Sequence, residues 1–145
     1  MKPSKILFVI SLMFLVIPCI ASAGDFDWMR DLNINAEGDP LGFRARLEAR
    51  FQVGALIINT VLDNVEEPAD AYMLLRLGEM SNQPMDHVIE EYKTGKGKGW
   101  GAIAKSLGIK PGSKDFFALK QGQDLYNDRS IANGGKHKGK GKGRK

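Results

Sequence analysis

The chain has 145 residues, 43% of them apolar and 26% charged, with 21 Lys and Arg against 17 Asp and Glu. That length admits one ordinary domain, and that apolar content allows a buried core. A single cysteine excludes an intrachain disulfide, and His87 and His137 lie too far apart in sequence to form a short metal-binding motif.

At the N-terminus, Lys2 and Lys5 precede an apolar run over 6–17, and Ala21-Ser22-Ala23 offers small residues for cleavage. The pattern predicts a secretory signal peptide over 1–23. The run is too short for a comfortable membrane span, and no later segment approaches the required length. Cys19 follows Pro18, a poor fit to a lipidation signal, so cleavage after Ala23 is expected. The mature chain then begins at Gly24 without a cysteine, and its expected location is periplasmic or secreted in a bacterium.

Residues 24–38 mix acidic side chains with Phe26, Trp28, Met29, Leu32 and Ile34, and read as an irregular or briefly helical lead-in. Asp39-Pro40 is a helix start, an N-cap followed by proline at the first helical position. From there Leu41, Phe43, Leu47, Phe51, Ala55, Ile58 and Leu62 recur at mostly four-residue spacing, which predicts one long amphipathic helix. Arg44, Arg46, Glu48 and Arg50 fill its other face, while Ile57 and Val61 widen the apolar one. Residues 64–67 break this helix, and Pro68 begins another that reaches about Met80, apolar on a wide face.

Residues 81–120 predict three short helices. Pro84 opens the first, with Met85, Val88, Ile89 and Tyr92 on one face, and Thr94-Gly95 ends it. Lys96, Gly97, Lys98 and Gly99 form a cationic loop into Trp100. The second helix, about 100–107, buries Trp100, Ile103, Ala104 and Leu107, and Gly108 suits the left-handed residue that follows a helix. Lys110-Pro111-Gly112 is a turn, and Ser113 caps a third helix carrying Phe116, Phe117 and Leu119.

No segment alternates with period two between turn signals, so no strand is expected. The fold class is all-α: a compact bundle of about five short-to-medium helices over 39–121, with Leu47, Phe51, Ile58, Trp100, Ile103 and Leu107 in its core. Residues 122–133 keep only Leu125, Tyr126 and Ile131 as apolar side chains of note and read as a frayed extension. Residues 134–145, GGKHKGKGKGRK, are low-complexity and predict a disordered tail.

Charge divides sharply along the mature chain. Residues 24–135 hold 13 basic and 17 acidic side chains, a net of −4. The tail adds Lys136, Lys138, Lys140, Lys142, Arg144 and Lys145. A mobile cationic segment of this kind points to polyanions: phosphate-bearing lipid or polysaccharide, extracellular nucleic acid, or an acidic protein.

The Lys96–Lys98 loop has two readings. Glycines, two lysines and the amides opening the next helix can cradle a phosphate or carboxylate, or the glycines serve only a sharp turn. No G-x-x-x-x-G-K-[ST], G-x-G-x-x-G or C-x-x-C-H occurs, so no cofactor is expected. Residues 103–109, IAKSLGI, resemble the first half of a helix-turn-helix. Lys114 stands where that motif buries an aliphatic residue, and Pro111-Gly112 lengthens the turn, which argues against sequence-specific DNA binding. Glu90 and Glu91 are adjacent and diverge on a helix, and no serine–histidine–acid set can be assembled, so an enzyme is not expected.

The run GKGWGAIAKSLGIKPGS resembles a motif of small exported bacterial helical proteins that are functionally uncharacterised, over about 83–120. The resemblance implies export and a helical domain but brings no activity. The expectation is therefore an exported binding or structural module that contacts polyanions through its basic tail and Gly-Lys loop. An envelope protein-interaction adaptor is the alternative and a small hydrolase the third class.

Overall fold

The computed structural model describes residues 26–126, and these form seven helices without a strand. In order they are α1 Trp28–Gly38, α2 Pro40–Phe51, α3 Ala55–Leu62, α4 Pro68–Ser81, α5 Met85–Gly95, α6 Trp100–Ser106 and α7 Lys114–Gln121. The expected signal peptide and the expected tail, with Ile131, lie outside the described residues. No described helix is long and apolar enough to cross a membrane.

The architecture is organised around α4. Ala69, Ala71, Tyr72, Met73, Leu74, Leu75, Leu77 and Gly78 are all buried, so this helix buries apolar residues around most of its circumference. A helix of that kind must be surrounded, and α1, α3 and α5 pack around it, with α2 also in contact. Each fully buried Leu, Met or Tyr contributes on the order of 1.5–3 kcal/mol relative to exposure. Gly78 marks the close approach of α5, since a Cβ there would stand 3.0 Å from Met85 Cε.

Of the two readings of residues 24–38, irregular or briefly helical, the helical one matches the structure, where α1 spans Trp28–Gly38. Its buried stripe is only Leu32 and Ala36, while Ile34 points outward. Tertiary contact rather than propensity holds it. Asn33 Oδ1 accepts the Ala69 N–H at 2.7 Å, and Asn33 Nδ2 donates to Glu67 at 2.5 Å. Glu67 gives α4 no side-chain cap of its own, so Asn33 caps α4 from the neighbouring helix.

The long helix expected over 39–62 is two helices. Asp39 caps α2 as the sequence indicates, its Oδ1 accepting the Gly42 N–H at 2.9 Å. Gln52 then turns left-handed at φ 53°, and Gly54 precedes α3 in extended conformation. The four-residue rhythm persists across the break because α3 folds back and buries Ile58 and Val61 against the same core. Leu41 is 81% exposed, and Phe51 is half-buried rather than central.

Beyond α4 the expected three helices are present. Pro84 lies just before α5 rather than inside it. The end of α6 is a Schellman turn: Ile109 N–H bonds Ala104 O at 2.9 Å and Gly108 N–H bonds Lys105 O at 3.0 Å, with Gly108 at φ 87°. Ile109 is buried, and Ser113 caps α7 by accepting the Phe116 N–H at 3.2 Å. Leu47, Ile58, Ile103 and Leu107 sit in the core. Trp100 is half-buried, Phe117 is 55% exposed, and Lys114 is exposed. Residues 122–126 are not frayed: Leu125 is buried, and Asp124 bonds Arg50 and the buried Tyr72.

Candidate functional site

The start of α4, the end of α5 and the loop into α6 enclose a cleft of about 280 Å³. Glu66 and Glu67 stand just before α4, and Asp70 lies in its first turn. Negative side chains are favoured there by the exposed amides of a helix N-terminus. From the opposite wall come Tyr92, Lys96, Gly97, Gly99, Trp100 and Ile103.

Tyr92 and Trp100 stack with ring centroids 5.5 Å apart and planes 21° from parallel. The positive φ values of Gly97 (88°) and Gly99 (85°) bend the loop so that Trp100 comes onto Tyr92. Tyr92 OH donates to Asp70 Oδ2 at 2.7 Å. Burial pushes the Asp70 carboxyl above its ordinary range, opposed by the Tyr92 bond and reinforced by the nearby charges of Glu67 and Glu66. Burial likewise raises the Tyr92 phenol, and its bond to the Asp70 carboxylate adds to that, so it stays a donor.

Lys96 is ion-paired with Glu66. Three carboxylates thus line this cleft against one ammonium, which pairs with Glu66. The electrostatics favours a cation or a cationic side chain against the aromatic faces, and opposes a phosphate. This bears on the Gly-Lys loop as an anion cradle: Lys96 is turned toward Glu66, Lys98 is exposed and outside the cleft, and α6 has only seven residues. Lys136, Lys138, Lys140, Lys142, Arg144 and Lys145 lie outside the described residues.

A second polar cluster lies toward the other end of α4. Arg50 of α2 donates through Nη1 and Nη2 to Glu79 at 3.0 and 3.2 Å and through Nε to Asp124 at 2.6 Å. Arg76 donates to Glu79 at 2.6 Å, and Tyr72 OH to Asp124 at 3.0 Å. Burial acts to raise both carboxyls, but the bonds from Arg50, joined by Arg76 at Glu79 and by Tyr72 at Asp124, outweigh it and hold both below the usual carboxylate range.

His87 is half-buried on α5. Among the described residues no three His, Cys, Asp or Glu side chains are grouped to hold a metal ion. No known protein family, curated protein or solved structure matches the chain.

The sequence pattern did not mark Glu66, Glu67 and Asp70 as a site. Acidic residues beside a helix start have a sufficient local reason there, and only the α5–α6 turn brings the aromatic pair to face them. The Arg50–Asp124 pair spans most of the domain in sequence and left no local signal.

Proposed function

We propose that the chain is an exported, non-enzymatic binding module that contacts polyanions through its C-terminal cationic segment. One observation carries this reading: six cationic side chains within the last ten residues, on a chain whose remaining mature part is net acidic. Glycines between the cations impose no fixed spacing, so several phosphates can be engaged at once, each releasing condensed counterions. The body adds little to such binding, since its cleft is lined by carboxylates and Lys96 is offset by Glu66. Export follows from the signal-peptide pattern and from the resemblance of the GKGWG run to small exported bacterial proteins.

The test is a salt titration of the full chain and of a version ending at Asn133 on heparin, anionic vesicles and duplex DNA. Binding of the full chain to DNA is expected to fall with a log–log salt slope of about 3–5, from roughly 0.9 per phosphate contacted. Truncation should abolish most of the binding while leaving helical content intact. Equal binding by the truncated chain would overturn the proposal.

A second reading, an envelope protein-interaction adaptor, is favoured by the Tyr92–Trp100 stack beside Glu66, Glu67 and Asp70. That wall suits a basic side chain of a partner protein. Capture of one partner equally by the full and the truncated chain, and lost in Glu67→Gln, would select it.

A further inference from the structure

After α7 the chain crosses back toward α2 and α4 through residues 122–126, and this segment is held differently from the rest of the molecule. Among the described residues the amides of Gly122, Asp124 and Leu125 join no backbone ladder, and the Tyr126 N–H bonds the Gln123 side chain at 3.0 Å. Its attachments are side-chain contacts: Asp124 to Arg50 and Tyr72, Leu125 buried, Leu125 O accepting from Arg46 at 3.4 Å, and the Arg46 guanidinium 4.8 Å over the Tyr126 ring. Gly122, at φ 126° and ψ −177°, starts the segment in a conformation that only glycine adopts readily.

The seat is aromatic. Tyr72 meets both Trp28 and Phe51 edge to face, each with centroids 5.5 Å apart, and Gly122 lies against the Trp28 ring. The closure is imperfect in two respects. A solvent-open groove of about 360 Å³ remains between the segment and Arg46, Ala49 and Arg50 of α2. Trp28 Nε1 and Tyr126 OH are buried without a hydrogen-bond partner among the described residues. Burying unpaired polar groups disfavours the closed state, and local opening lets water satisfy them.

We propose that residues 122–126 are a latch that opens and recloses on a seven-helix body that stays folded. Closed, it fixes the start of the C-terminal segment beside Arg46 and Arg50 and covers Tyr72. Open, it releases that segment and bares the Trp28–Tyr72–Phe51 seat. The latch stands on packing and hydrogen bonding alone and is independent of the polyanion reading.

Native-state proteolysis of the full chain tests it, with cleavage sites mapped by mass spectrometry over a urea series. Cleavage at Leu125 and Tyr126 is expected to be nearly independent of urea below the unfolding transition, while cleavage within α4 follows global unfolding. Asp124→Asn is expected to speed latch cleavage at least tenfold and to raise acrylamide quenching of Trp28, read in a Trp100→Phe background. A shared urea dependence for latch and α4 cleavage would overturn the proposal, and that measurement needs no variant. Unchanged latch cleavage and unchanged Trp28 quenching in a folded Asp124→Asn protein would overturn it equally.

Discussion

Two polar clusters lie along α4, and they are built on opposite principles. Near its C-terminal half, Arg50 and Arg76 meet Glu79 and Asp124, two cations against two carboxylates, all tied by hydrogen bonds between α2, α4 and the 122–126 segment. At its N-terminal end, Glu66, Glu67 and Asp70 line an open cleft against Lys96 alone, which pairs with Glu66, beside an aromatic stack. A charge-balanced, cross-linked cluster holds helices together. A cluster with surplus negative charge and room beside it gains from a partner that supplies the missing cation.

The largest effect that separates them is Arg50→Ala. Its three charge-assisted bonds join α2 to α4 and to the segment after α7, and its side chain is only 25% exposed. Bonds to charged groups contribute about 1.5–3 kcal/mol each at most, and partial exposure and shared partners reduce their sum. A loss of about 2–3 kcal/mol is expected, read as a fall in Tm on the order of 10–15 °C. A fall no larger than that of a surface substitution would mean that the cluster holds nothing.

The next effect is pH dependence, where the two clusters have opposite signs. Glu79 and Asp124 are held below the ordinary range, so their stabilisation is complete above the unfolded value, near 4, and is lost as pH falls through their folded values. Asp70 is raised, chiefly by burial. Its folded carboxyl takes up a proton more readily than the unfolded one, so acidification toward the unfolded value near 4 adds a little stability and none beyond it. Thermal melts from about pH 6 to about pH 2 should therefore show Arg50→Ala flattening the acid loss, and Asp70→Asn removing the small gain above about pH 4. If Arg50→Ala leaves the acid limb unchanged, the lowered carboxyls are not coupled to folding through it.

The contrast also shows how much of the molecule can be read from its chain. Helix starts and stops at Asp39-Pro40, Pro68, Ser113 and Gly108 are legible because capping is local chemistry. The wide apolar face of α4 reveals a buried helix for the same reason. The break at Gln52 is hidden because an apolar rhythm continues across two helices that share a core, and Gln52 carries none of the usual turn chemistry. Helix α1 is only faintly legible because two buried residues and a borrowed cap make a weak pattern until α4 is beside it. Both polar clusters depend on contacts between distant segments. Asp124 gives no sign of Arg50, and the carboxylates before α4 give no sign of Tyr92 and Trp100.

The smallest effect on stability, and the sharpest on the contrast, belongs to Lys96→Ala. Lys96 and Glu66 are 50% and 71% exposed, and an ion pair of that kind contributes about 0.5 kcal/mol or less. The variant should melt within a few degrees of the parent, against the large fall expected for Arg50→Ala. Binding should move the other way. Removing the one ammonium leaves Glu66, Glu67 and Asp70 without their cation, so a short oligolysine peptide should bind several-fold more tightly. The Trp100 indole N–H resonance should shift on titration, and added salt should weaken the binding. Glu67→Gln should reverse part of the gain. Equal peptide affinity for Lys96→Ala and the parent would mean that the cleft's surplus charge is already neutralised by solvent. The two ends of α4 would then differ in geometry but not in what they can bind.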